Sequence, residues 1–108
     1  MPEHLLIESE GPAYGPGAVR FVTDAAHLAR AGDRTSLLLV DNAVFAAVAG
    51  ASAEIADFTG VGGELLVDAY AVHQRALVPK DLVPEARLVE MDEVATRLLA
   101  PDTRVVWH

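Results

Sequence analysis

Short, unbroken apolar runs separated by helical stretches constrain this chain more than any other feature. Leu5 to Ile7 within His4 to Ser9, Leu37 to Val40 within Thr35 to Val40, and Leu65 to Val67 within Glu64 to Val67 are each bounded by polar or turn-forming residues. Runs of that length read as buried strands, because a strand covered on both faces need not alternate apolar with polar residues. Arg87-Leu88-Val89-Glu90 is a fourth, weaker strand and Thr103 to Trp107 a fifth.

The intervening stretches have helical spacing. From Pro16 onward, Phe21, Ala25, Leu28 and Ala29 recur three and four residues apart, and Gly32 stands where a C-cap is expected. Ala43 to Gly50 reads as a short apolar helix, residues 51–59 as another and Ala69 to Leu77 as a third. Pro79 to Pro84 reads as a brief helical turn, and the segment from Met91 to Leu99 as a helix with acidic residues in its first turn. No repeat or linker interrupts this order. The expected fold is therefore one α/β domain over residues 1–108, a three-layer α/β/α sandwich around a mostly parallel five-stranded sheet. Ligands of such sheets bind at the carboxyl ends of the strands, which are Ser9-Glu10, Asp41-Asn42, Asp68 to Tyr70 and Met91-Asp92.

Charge and composition narrow the partners. Sixteen Asp and Glu against eight Lys and Arg give a formal charge of -8, which repels nucleic acid and anionic membrane surfaces. No apolar run approaches the ~20 residues of a membrane span, and the first residues lack the basic segment of a signal peptide, so the cytoplasm is the expected compartment. There is no cysteine. His4, His27, His73 and His108 fall in separate segments without the spacing of a metal motif, and Gly60 to Gly63 form a turn and no nucleotide fingerprint. The pattern implies neither a metal nor a cofactor.

Three stretches resemble the DsrE/DsrF/DsrH sulfur-relay family. Leu37 to Val40 leading into Asp41-Asn42-Ala43-Val44 is similar to the family's apolar strand followed by Asp-Gly-Val. Asp68-Ala69-Tyr70-Ala71-Val72-His73-Gln74-Arg75-Ala76-Leu77 is similar to its segment of Cys, six residues, Arg-Gly and Ile or Val. A helix from Met91 followed by a last strand closing on Val105-Val106-Trp107 is the third likeness, and together they span nearly the whole chain in order. The resemblance implies a DsrE-like fold and a homo-oligomer, trimeric or hexameric, or a hetero-oligomer with DsrE-like paralogues.

In sulfur-relay members the cysteine heading the second segment accepts sulfane sulfur and passes it to a partner. Asp68 stands at that position here, and Ala76 at the glycine. A carboxylate forms no persulfide, so this chain carries no sulfur. The family also contains subunits without a working cysteine, which pair with cysteine-bearing paralogues. The resemblance thus implies a non-catalytic subunit or binding module of an oligomeric sulfur-relay-related assembly.

The residue types at the strand ends support a rival expectation. Asp68, Tyr70, His73 and Arg75 lie within eight residues and offer a carboxylate, a phenol, an imidazole and a guanidinium. A diverged small-molecule enzyme would use Asp68, His73 and Tyr70 for acid-base chemistry, with Arg75, Asp41, Asn42, Ser9 and Tyr14 as ligand-binding residues. The structural explanation is that Asp68 caps the following helix and pairs with Arg75, while Tyr70 and His73 pack at a subunit contact. Asp41 and Asn42 then serve as caps, Tyr14 covers apolar surface, Trp107 is a packing or interface anchor, and His108 is a terminal residue of unassigned order.

Overall fold

The computed structural model describes residues 3–11 and 15–108, and its five strands form one sheet in the order β4-β3-β2-β1-β5, every neighbouring pair parallel. The strands are β1 (Glu3–Glu8), β2 (Arg34–Leu39), β3 (Glu64–Asp68), β4 (Arg87–Val89) and β5 (Thr103–Trp107). The helices are α1 (Pro16–Arg30), α2 (Ala53–Gly60), α3 (Ala69–Gln74) and α4 (Met91–Leu98). Two 3₁₀ segments, Asp41–Ala47 and Pro79–Asp81, complete the connections. The expected five-stranded, mostly parallel sheet is present, and every pair in it is parallel. The segment expected as a short apolar helix over Ala43 to Gly50 is a 3₁₀ helix over Asp41–Ala47, and the φ of 51° at Asp41 turns the chain sharply out of β2.

Handedness sets the layers. The steps from β1 to β2, β3 and β4 all move the same way across the sheet, so right-handed crossovers place α1, α2 and α3 on one face. The return from β4 to β5 crosses the sheet in the opposite direction, which puts α4 on the other face. The cores follow this division. Leu6, Leu37, Leu39, Leu65 and Val67 pack with Val22, Ala25, Phe58 and Val72 beneath the three helices. Leu5, Ile7, Leu38, Val40, Leu66 and Val89 pack around Val94 of α4.

Three helices end in the same way. After α1, α2 and α3 the chain makes paired backbone hydrogen bonds, Gly32 to Ala29 and Asp33 to Leu28, Gly62 to Thr59 and Gly63 to Phe58, Ala76 to His73 and Leu77 to Val72. This is the Schellman closure, which needs a left-handed residue just past the helix. Gly32 and Gly62 supply it with φ of 97° and 95°, and Ala76 with φ of 58°.

The second face has thin cover, since Val94 is the buried residue of α4. Polar contacts hold that helix in place. Arg97 donates to Glu64 at 2.9 and 3.3 Å and to Ser36 Oγ at 3.1 Å, and lies 3.5 Å from Glu3. Arg87 on β4 reaches Glu93 at 2.8 Å. One helix is thereby tied to four strands at the amino ends.

Gly63 lies where α2 closes onto β3, and a Cβ built there meets the ring of Phe58, which is wholly buried. Gly63→Ala is expected to cost about 1–3 kcal/mol through overpacking. Urea denaturation checks this as a lowered midpoint with an unchanged slope.

Candidate functional site at the carboxyl ends of the strands

All five strands deliver their carboxyl ends to one side of the sheet, so residues distant in sequence meet there. At the end of β3, Asp68 is 8% exposed, and its Oδ1 accepts the Tyr70 backbone N–H at 3.1 Å. The carboxylate caps α3. Arg75 does not pair with it as the structural explanation expected. Its Nε donates to Asn42 Oδ1 at 3.0 Å and its Nη1 to the Ala71 carbonyl at 3.2 Å. Arg75 thereby ties the end of α3 to the start of the 3₁₀ segment after β2. Two of the three stretches that carried the sequence resemblance thus meet in space.

The remaining predicted residues are spread out. Tyr70 is 63% exposed, and its hydroxyl accepts from Gln74 Nε2 at 2.9 Å. His73 is exposed on the last turn of α3, and among the described residues no hydrogen bond joins it to Asp68 or Tyr70. Asp41 is exposed. Tyr14 lies outside the described residues.

Ser9 belongs to a different grouping, which the sequence reading did not single out. Glu8 at the end of β1 is 1% exposed and accepts the backbone N–H groups of Ser9 and Glu10 at 3.0 and 3.1 Å. His108 Nδ1 lies 2.8 and 2.9 Å from its two oxygens. The imidazole stacks on Phe21 of α1 with ring centroids 5.2 Å apart, and Ser9 Oγ donates to the His108 carbonyl at 3.0 Å. A signal for this pair was present in the sequence. Glu8 shares the alternation of His4 and Leu6, which turns it to the α1 side, where a buried carboxylate requires a partner.

The Glu8 hydrogen bond raises the His108 pKa above the ordinary imidazole value; partial burial opposes it, and the charges of Glu8 and Glu10 reinforce it. Stabilisation from this pair is fully present below the unfolded-state value of about 6.5 and is lost as pH rises through the folded-state value.

A cleft of about 230 Å³ lies at the opposite, amino ends of the strands, with Ser36, Gly62, Glu64 and Arg97 in its walls. Partial burial pushes the Glu64 carboxyl up, but hydrogen bonds from Arg97 and Ser36 and the charges of Arg97 and Arg87 outweigh it and hold the pKa below its usual value. Arg97, Glu3 and Glu64 in its walls are paired with one another, and Arg34 also lines it. Among the described residues no group of three or more His, Cys, Asp or Glu is placed to hold a metal ion, and no helix is long and apolar enough to cross a membrane.

The architecture is that of a DsrE-like α/β/α sandwich with an all-parallel five-stranded sheet. It matches the crystal structure of the ychN protein from E. coli at a TM-score of 0.88, with 15% sequence identity over 100% of both chains. A protein of unknown function from Methanobacterium thermoautotrophicum matches at 0.79, with 10% identity over 98% of this chain and 99% of the other. At such identities the likeness concerns the fold. No protein-family model and no curated protein matches the chain.

Two measurements probe the site. Ala76→Gly relieves a left-handed alanine, worth about 1–2 kcal/mol, against roughly 0.4–1 kcal/mol of added unfolded-state entropy. A net gain of about 0.5–1 kcal/mol is expected in chemical denaturation. For the His108–Glu8 pair, the melting temperature of the parent is expected to fall relative to His108→Gln as pH rises from about 6 to 8. Parallel pH profiles for the two proteins would refute it.

Proposed function

We propose that this chain is a cysteine-less DsrE-like subunit or binding module, working in the cytoplasm within an oligomeric assembly related to sulfur relay. The observation that carries the reading is the state of Asp68. It stands where the resemblance puts the sulfur-carrying cysteine, and its carboxylate is engaged in capping α3. No thiol exists in the chain to replace it. The left-handed Ala76, at the position of the family's glycine, and the Asn42–Arg75 contact between two of the three resembling stretches support the same reading.

The role proposed is therefore structural or ligand-binding, with cysteine-bearing DsrE-like paralogues as the partner class. Arg75 and Asn42 are the residues proposed to meet a small anionic ligand or a partner loop, because their contact joins two strand-end segments. Acid-base catalysis by Asp68, Tyr70 and His73 gains no support from their separate hydrogen bonding.

Incubation with a sulfane-sulfur donor is expected to leave the mass of the protein unchanged. Affinity purification from the native host is expected to recover a cysteine-bearing DsrE-like protein. Asp68→Ala loses the cap, at a cost of about 1 kcal/mol, and is expected to leave that association in place. Recovery of the chain alone, in repeated purifications, refutes the accessory role.

A further inference from the structure

β5 is an edge strand with little of the usual protection, Arg104 being its one charged side chain. It pairs with β1 on one side, and among the described residues no strand pairs with its other side. Native edges are commonly guarded by proline, inward charges, bulges or a covering element. Here Val105, Val106 and Trp107 are 41%, 51% and 63% exposed. Residues 103–108 contain no Asp or Glu in a chain of net charge -8. This edge is accordingly a region where two copies can approach with little charge repulsion.

The ladder with β1 fixes which backbone groups are free. The Glu3 N–H donates to the Asp102 carbonyl at 3.0 Å, the His108 N–H to the Ile7 carbonyl at 2.8 Å, and the Ser9 N–H to the His108 carbonyl at 3.2 Å. Asp102, Arg104, Val106 and His108 therefore turn their backbone groups toward β1. Val105 and Trp107 turn theirs outward. By the same alternation their side chains share the α4 face with Leu5 and Ile7, the residues in register with them.

We propose that β5 of a second copy of this chain docks antiparallel along this edge, with a two-fold axis at Val105, joining the two five-stranded sheets into one. The outward groups allow axes at Arg104, Val105 or Val106, and charge selects among them. An axis at Arg104 sets two arginines face to face. One at Val106 sets Arg104 opposite His108 of the second copy. An axis at Val105 sets Arg104 opposite Val106, Thr103 opposite Trp107 and Asp102 opposite His108. Like charges directly opposite are destabilising, and the Val105 axis is the one of the three that sets no basic side chain opposite Arg104, so it is the favoured register. In it the two Val105 residues exchange N–H and C=O hydrogen bonds, and each Trp107 N–H meets a Thr103 carbonyl. The interface is self-complementary, as a two-fold contact must be. It is independent of the accessory role, because the edge lies on a different element from Asp68 and Arg75.

The absence of cysteine makes the test specific. Paired residues that exchange hydrogen bonds across antiparallel strands have Cα atoms about 5.5 Å apart, within disulfide reach. Under mild oxidant Val105→Cys is expected to give a covalent dimer on non-reducing electrophoresis, and Val106→Cys, which faces Arg104, is not. Val105→Pro removes an outward N–H while sparing the ladder to β1. It is expected to halve the mass measured by light scattering with an unchanged circular dichroism spectrum. Trp107→Glu, an exposed position, serves if the proline variant does not fold, and the same halving is expected. A parent that is monomeric at micromolar concentration, a Val105→Cys variant that stays uncrosslinked, or equal crosslinking through Val106→Cys overturns the proposal. These measurements use the chain alone, so they succeed or fail separately from any search for a cysteine-bearing partner.

Discussion

The right-handed crossover is the constraint on which the rest of this structure depends. Three successive steps in one direction put α1, α2 and α3 on one face, and the single long return puts α4 on the other. From this follow a deep core on one side and a thin one on the other. It also leaves β5, the last strand placed, at an edge beside β1. Because every strand runs the same way, the ends of β1, β2 and β3 carry Glu8, Asp41-Asn42 and Asp68 to a common side.

The two ends of the sheet are stabilised by different means. At the amino ends, Arg97 ties the lightly packed α4 to β1, β2 and β3 through Glu3, Ser36 and Glu64. Ser36 is buried, but the charged side chains Arg97, Glu3 and Glu64 are partly exposed, so the value of their ion pairs lies more in fixing the helix position than in net stability. At the carboxyl ends two carboxylates, Glu8 and Asp68, are more deeply placed than the charged groups at the amino ends. Glu8 is almost inaccessible and satisfied by two backbone N–H groups and His108, and among the described residues no buried side-chain polar atom lacks a partner.

Much of the fold was legible in the sequence because its signals are local. Leu37 to Val40 and Leu65 to Val67 announce buried strands within a few residues, and Gly32 marks the end of α1 within one turn. The extent of the 3₁₀ segment after β2 was less legible, because a left-handed Asp41 is decided by where the chain must go next. At the site, Asp68 as a helix cap was readable from its place before a short helix. The partner of Arg75 was not, because Asn42 is 33 residues away and meets it only after β2 and β3 pair. Glu8 and His108 are separated by 100 residues and meet only because β5 inserts beside β1.

The sequence by itself determined that this chain has no thiol on which a persulfide could form, because cysteine content is a matter of composition. It also determined the succession of strands and helices, because periodicity and caps act within one or two turns. The tertiary structure alone decided the strand order, the pairings of Asn42 with Arg75 and Glu8 with His108, and the open edge at β5. Those depend on crossover direction and inter-strand register, which are settled only when the whole sheet assembles.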